Sequence, residues 1–441
     1  MSPGILRLAV LIALAAPAVL LILIALPGVL GRPLGERGVG ALTKSAFLLA
    51  FAALAGAGFL YAAGPRIQAL LRLGSWFSEG GGFSFDLLID GWSLGFSILA
   101  VGICGIVSSF SFRYLHREPG FHRYFILLVS FVEGILLVAL AGSVEVLAAG
   151  WEILGLSSAM LVAFFHERPA PVASGLRVLA FYRVGDACML AAAVLLHHWA
   201  GSGSLVLLFS GSVSGLAPLG PDKIGTIAAL LIVAAAAKSA LLPFSTWLPR
   251  AMEGPTPSSA VYYGALSVHA GCYLLLRAEP LIGASWAARA LAAAAGAATA
   301  GYAALAGRAQ TDVKSRLCFA SLTQVGIIVL EIALGLKTLA FLHMSGNMLL
   351  RLLQFLSAPN VLHDLHELEN NVGGSVARTK APPKALGSGI YLLALERGFL
   401  DGLLDRWIAW PLERLAASLE RIDRGLCRAS LAFFDAESHG N

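Results

Sequence analysis

Nine ionisable side chains sit well inside long apolar runs: Glu133, Glu152, Arg183, Asp186, Lys238, His269, Glu331, His343 and Arg351. A charge at membrane depth is costly and by default marks an ion pathway. Carboxylates, amines and an imidazole strung along apolar segments are suited to proton transfer. Glu152 lies midway through LAAGWEILGLSSAML, and Lys238 lies in LIVAAAAKSALLPF. Burial disfavours the charged form of either group alone. Brought together, they form a donor and acceptor whose protonation changes when a neighbouring charge moves. The plainer reading, a static buried ion pair joining two helices, leaves the other charges without a reason.

Lys238 is followed by Pro243 and then by TWLPRAMEGPTPSSA, with Pro249, Pro255 and Pro257. Proline removes a backbone donor and clashes with the preceding turn, so Pro243 and Pro249 predict a broken helix beside the lysine. Irregular backbone at membrane depth is tolerated only inside protein or along a watery cavity, so break and charge point to one hydrated path. Arg183 and Asp186 are three apart in AFYRVGDACML and share a helix face, either as part of the path or as a local salt bridge. His269, in GALSVHAGCY, is either a relay or a hydrogen-bonded packing histidine. His343, Asn347 and Arg351 recur every four residues and form one polar stripe that must face protein.

The elements that must position these groups follow from composition. The 441 residues are 58% hydrophobic and 13% charged. A soluble domain carries about 45–50% apolar and about 25% charged residues, so an aqueous surface cannot be built from this chain. An all-α polytopic membrane protein is the expected fold class. Eleven apolar runs are long enough to span, at roughly 4–30, 41–63, 91–112, 124–142, 144–165, 178–198, 224–248, 258–277, 281–306, 313–334 and 338–362. The first continues well past signal-peptide length and reads as a retained helix. A net charge of +5 is no argument for nucleic acid here, because basic residues in membrane proteins set topology and meet anionic lipids. Eleven Lys and Arg fall in odd-numbered connections and five in even-numbered ones, which predicts an outside N-terminus and a cytoplasmic tail.

The five cysteines show no metal or disulfide spacing, so no cofactor is expected in this chain. Residues 80–90 suggest a short hairpin over the outer helix ends, and 200–220 an outside loop. From His363 a polar, Gly- and Pro-punctuated linker leads to an amphipathic helix with Leu400, Leu404, Trp407, Leu415, Leu419, Ile422 and Leu426 on one face. It is too short to span, and Pro411 should bend or restart it; it lies on the lipid interface or on a partner.

GWEILGLSSAML, AFYRVGDACML, AAAAKSALLPFSTWLPRAMEGPTPSSA and TDVKSRLCFASLTQVG resemble the proton-conducting antiporter-type family shared by the L-type subunit of respiratory complex I and the large subunit of multi-subunit cation/proton antiporters. The resemblance spans about residues 80 to 360. It implies that Glu152 and Lys238 are the coupling pair of a proton half-channel, modulated by Arg183 and Asp186. It also implies an antiporter-like fold. Residues 1–120 would hold three helices and the outside hairpin, and 121–280 one complete five-helix repeat with the broken seventh helix. Residues 281–362 would be a truncated second repeat, and 363–441 the cytoplasmic linker and tail.

Departures are also visible. Asn347 and Arg351 stand where histidine and lysine are usual, and Tyr263 takes the usual histidine position, for which His269 would substitute one to two turns along. The shortened form looks most like the membrane subunits of DAB-type inorganic-carbon accumulation complexes (DabB type). That resemblance implies a bacterial inner-membrane location and a large cytoplasmic zinc-binding, β-carbonic-anhydrase-like partner (DabA type). Carbon dioxide hydration would occur at the partner's zinc, and this chain would carry the proton traffic without being an enzyme itself. Proton-pumping subunits of complex I-like or hydrogenase-type redox complexes, cation/proton antiporter subunits, and a membrane anchor for a soluble enzyme without ion conduction are the alternatives.

Overall fold

The computed structural model describes residues 3–64, 68–75, 84–206, 219–310, 312–358 and 388–438. Ten helices among these are long and apolar enough to cross a membrane. They are α1 (Pro3–Val29), α2 (Glu36–Ala63), α3 (Gly91–Tyr114), α4 (Phe121–Leu140), α5 (Val144–Val162) and α6 (Pro169–Ala200), then α8 (Thr256–Arg277), α9 (Trp286–Ala309), α10 (Val313–Ala333) and α11 (Lys337–Ser357). Between them lies α7 (Pro221–Lys238), which carries charges at both ends. With it, each of the eleven expected apolar segments contains a helix.

The helix starts are legible in local chemistry. Asp90 caps α3 by accepting from the Ser93 amide at 2.8 Å, while the Ser93 hydroxyl lies 2.9 Å from the Asp90 amide. Asp312 caps α10 by accepting from the Ser315 amide at 2.7 Å. α6 begins with Pro169 in its first turn, where the missing amide costs nothing, and ends at Gly201 with φ +66°. Small residues then set the spacing. A Cβ on Gly134 would lie 2.6 Å from the Leu154 amide nitrogen, so α4 and α5 pack backbone to backbone. Gly296 and Gly326 do the same for α9 and α10, in line with the close packing expected of the Ala- and Gly-rich ninth helix.

The expected hairpin within residues 80–90 is instead one strand of a hairpin that reaches back to residue 69. Strand β2 (Ser84–Ile89) pairs antiparallel with β1 (Ala69–Ser75), which lies outside the expected hairpin. β2 is pinned to the α4–α5 turn, where the Gly142 amide donates to Asp86 O at 2.8 Å and Ser143 Oγ donates to Ser84 O at 2.6 Å. Arg277 at the end of α8 meets Asp90 at 2.6 Å, both buried, and ties α8 to the start of α3.

The expected linker, 363–387, lies outside the described residues, as do 80–83 of the hairpin and most of the 200–220 loop. Beyond the linker come α12 (Ser388–Leu395) and α13 (Trp410–Ser438). α13 restarts with Pro411 as its second residue, preceded by a π-helical turn at Asp405–Ala409. Arg177 of α6 forms an ion pair with Asp405 and clips this region to the bundle. The apolar face of α13 is exposed, from Trp410 through Leu415, Leu419 and Ile422 to Leu426.

Candidate functional site: a charged relay at a helix break

α7 stops at Lys238, five residues before Pro243, so the break begins earlier than the prolines alone predict. Ser239 caps the end and Ala240 takes a left-handed φ of +55°. Groups freed by the break find new partners. The Trp247 indole donates to Ala237 O at 3.1 Å, and the Leu242 amide donates to Thr299 Oγ1 of α9 at 2.9 Å. Phe244–Thr246 and Trp247–Arg250 follow as short turns, the second containing Pro249. The expected seventh helix, 224–248, is therefore cut short at its lysine.

The break leaves Lys238 buried at the helix end, with its ammonium pointing at α5 and α6. Nζ donates to Trp151 O at 3.1 Å and lies 4.1 Å from the Tyr182 ring centroid and 4.7 Å from that of Trp151. Aromatic faces and a carbonyl stabilise a desolvated cation. The amine fits because residue 155 is glycine: a Cβ there would lie 2.7 Å from Nζ.

Trp151 and Tyr182 immediately precede Glu152 and Arg183. Consecutive helical residues are about 100° apart, so the aromatic rings face the core while the charges turn towards the α5–α6 perimeter. There Arg183 Nη2 lies 2.5 Å from Glu152 Oε2 and 2.6 Å from Asp186 Oδ2. Asp186 is buried, whereas the Arg183 and Glu152 side chains are 38% and 40% exposed. This corrects the expected pairing: among the described residues Glu152 has no ion pair with Lys238. Arg183 bridges the two carboxylates, and the lysine approaches Glu152 only through the carbonyl of the preceding residue.

Away from Lys238, Tyr182 Oη lies 2.5 Å from Tyr262 Oη and 3.4 Å from Ser267 Oγ of α8. α8 contains a π-helical stretch, Ala260–Ala265, before resuming as α-helix at Ser267. Two residues on, buried His269 accepts at Nε2 from Asn347 Nδ2 at 3.0 Å. Asn347 Oδ1 in turn accepts from Arg351 Nε at 3.2 Å, and Arg351 Nη1 donates to Gln354 Oε1 at 2.6 Å. His343, one turn away on the same stripe, turns to α10, with Nδ1 3.0 Å from Glu331 Oε1 and Nε2 2.8 Å from Gln324 Oε1. The stripe thus faces protein and divides between α8 and α10.

One sequence candidate stays apart. Glu133, half-buried on α4, has no ion-pair partner among the described residues, and its Oε2 is buried without a hydrogen bond. The structure does not join it to the relay. Conversely, Trp151, Gly155, Tyr182, Tyr262, Ser267, Gln324 and Gln354 were not singled out by sequence. Trp151 and Tyr182 had a usable signal, since each adjoins a flagged charge. Among the described residues no group of three or more His, Cys, Asp or Glu is arranged to hold a metal ion.

A bundle of membrane-length helices, one of them broken at a buried lysine beside bridged carboxylates, defines the chain by its architecture as a polytopic membrane protein with a charged cluster at a helix break. The comparisons agree. Residues 141–396 match the family model for the transmembrane region of NADH:quinone oxidoreductase and Mrp antiporter proteins, and residues 76–125 match the complex I chain 5 N-terminus. The chain belongs to this antiporter-like family.

Among its relatives, NADH-quinone oxidoreductase subunit L of Mycobacterium tuberculosis is 31% identical over 324 residues, covering 73% of this chain and 51% of the relative. NADH-ubiquinone oxidoreductase chain 5 of Rhizopus stolonifer is 32% identical over 342 residues, covering 77% and 51%. The chain therefore spans about half the length of these relatives. Among solved structures, a chain of the Mrp complex from Dietzia sp. DQ12-45-1b superposes with a TM-score of 0.66 at 26% identity, covering 93% of this chain and 45% of that one. A chain of the membrane-bound sulfane sulfur reductase, an archaeal respiratory complex, superposes with a TM-score of 0.69 at 18% identity, covering 88% and 77%, and shares the fold.

Proposed function

We propose that the chain is a proton-conducting subunit of a multi-subunit, energy-coupling membrane complex. The observation that carries this reading is the Arg183 guanidinium held between Glu152 and Asp186, with Glu152 following directly on Trp151, whose carbonyl holds Lys238 at the helix break. Two acids and two bases give a cluster of no net charge in which a proton gained by one acid frees the guanidinium for the other. The lysine, loosened or drawn closer by that shift, passes the change to the Tyr182–Tyr262–Ser267 hydroxyls and on towards His269, Asn347 and Arg351. A half-exposed Glu152–Arg183 pair cannot face hydrocarbon at low cost, so the α5–α6 perimeter is assigned to contact with another membrane subunit.

What drives the proton has two readings. The carbon-uptake reading rests on the DAB-type resemblance: a cytoplasmic zinc-binding partner hydrates carbon dioxide to bicarbonate, and this chain couples that step to the proton-motive force. The redox reading rests on similarity to the NADH-quinone oxidoreductase subunits and makes this chain one pumping module of a complex I-like assembly. Affinity purification through this chain, with identification of the retained subunits, separates them. A single large Cys/His/Asp zinc protein supports the first; iron–sulfur and quinone-binding subunits support the second. Several small membrane proteins would instead indicate a cation/proton antiporter, and a chain that purifies alone contradicts the proposal.

A further inference from the structure

The charged cluster leaves unexplained a groove between α2 and α3. Two adjoining pockets of about 330 and 320 Å³ share Lys44, Ser108 and Ser109 and together run from Arg113 to Val101. Twelve helical residues separate those ends, about 18 Å. That is slightly more than one leaflet of a hydrocarbon core about 30 Å thick.

The groove has two chemistries. Its apolar half is walled by Phe47, Leu48 and Phe51 of α2 and by Gly102, Gly105 and Ile106 of α3. A Cβ on Gly105 would meet only Phe47, at 4.0 Å, so the missing side chain keeps the floor open. The other half holds Lys44 and Arg113 with Thr43, Ser108 and Ser109. Both cations are exposed, and among the described residues neither has an ion pair or a hydrogen bond. They lie at the end of the bundle that also carries Arg32, Arg37, Arg117 and Arg123, the end expected to face the cytoplasm.

We propose that this groove is a binding site for one anionic phospholipid, with the phosphate between Lys44 and Arg113 and an acyl chain along Gly102, Gly105 and Ile106. The two free cations call for an anion, and a leaflet-deep apolar slot continuous with them calls for a hydrocarbon chain on that anion. A free phosphate would use only the polar half.

The test is native mass spectrometry of the full chain from mixed micelles with equal amounts of phosphatidylglycerol and phosphatidylcholine. One phosphatidylglycerol per chain should be retained in preference to phosphatidylcholine. Lys44→Gln and Arg113→Gln should each lower that preference about fivefold, and about 25-fold together. Gly105→Leu should abolish retention by filling the slot. Arg32→Gln with Arg37→Gln, at the same end but outside the groove, should leave it unchanged. Undiminished retention in the Lys44/Arg113 double variant, equal retention of the two lipids, or an equal loss in the Arg32/Arg37 control would overturn the proposal. Because Lys44 and Arg113 are exposed and unpaired, their substitution keeps the test decisive if Gly105→Leu does not fold.

Discussion

Gly155→Ala separates the placement of Lys238 from the stability of the fold. The added methyl would sit 2.7 Å from Lys238 Nζ and 3.3 Å from the Tyr182 ring. Ordinary contact begins near 3.4 Å, so the ammonium must retreat by more than half an ångström and weaken its bond to Trp151 O. A desolvated cation–π contact contributes about 2 kcal/mol and a hydrogen bond about 1 kcal/mol. Losing part of both shifts the lysine's placement by about 1–2 kcal/mol, or roughly 5- to 30-fold in a rate that depends on it. Overpacking costs about 1–3 kcal/mol and alanine returns about 0.5–1 kcal/mol of helix preference, so the net stability loss is about 0–2.5 kcal/mol, which the melt reads separately from flux. The assay is proton flux through the complex purified by way of this chain and reconstituted in liposomes, followed with an internal pH dye beside a thermal melt. Gly301→Ala, where a Cβ meets nothing within 4 Å, is the control and should leave flux unchanged. A folded Gly155→Ala variant with unreduced flux would refute the placement argument.

Arg183→Ala removes the bridge between Glu152 and Asp186; it should suppress flux and cost about 1–3 kcal/mol in a melt. That is below the roughly 3–5 kcal/mol of a fully buried pair, because Arg183 and Glu152 are partly exposed. Asn347→Leu leaves His269 and Arg351 without the amide between them; flux should fall several-fold while tail proteolysis is unaffected. Asp405→Asn unclips the tail from Arg177, so trypsin should cleave beyond residue 396 faster while the ten long apolar helices stay protected.

The charges were legible because a membrane makes each one conspicuous, and Arg183 with Asp186 could be paired from their spacing of three. Their partners across helices were less so. Glu152 has two cations within reach in principle, and only the rotation of α6 decides that it meets Arg183 rather than Lys238. The helix break was placed at Pro243 because proline disturbs the turn before it, whereas the chain leaves the helix at Ser239 through the left-handed Ala240. Nothing in the residue type of Ala240 announces that conformation. β1 was missed because ALLRLGS is short and becomes a strand only through pairing with β2. Glu133 was grouped with the other charges by depth alone; it lies on α4, and the structure gives it no ionic neighbour among the described residues. Gly155 looked like any small residue in a packed helix, and its use appears only when the lysine end from α7 is set against it.

The central claim is that the Glu152 and Lys238 groups lie on the proton's route. The most direct measurement is proton flux driven by an imposed gradient in liposomes holding the purified complex, comparing Glu152→Gln and Lys238→Ala with the unaltered protein at equal subunit content. The account predicts that both variants assemble fully and that flux falls to the level of empty liposomes. Flux equal to that of the unaltered complex in either variant would contradict it.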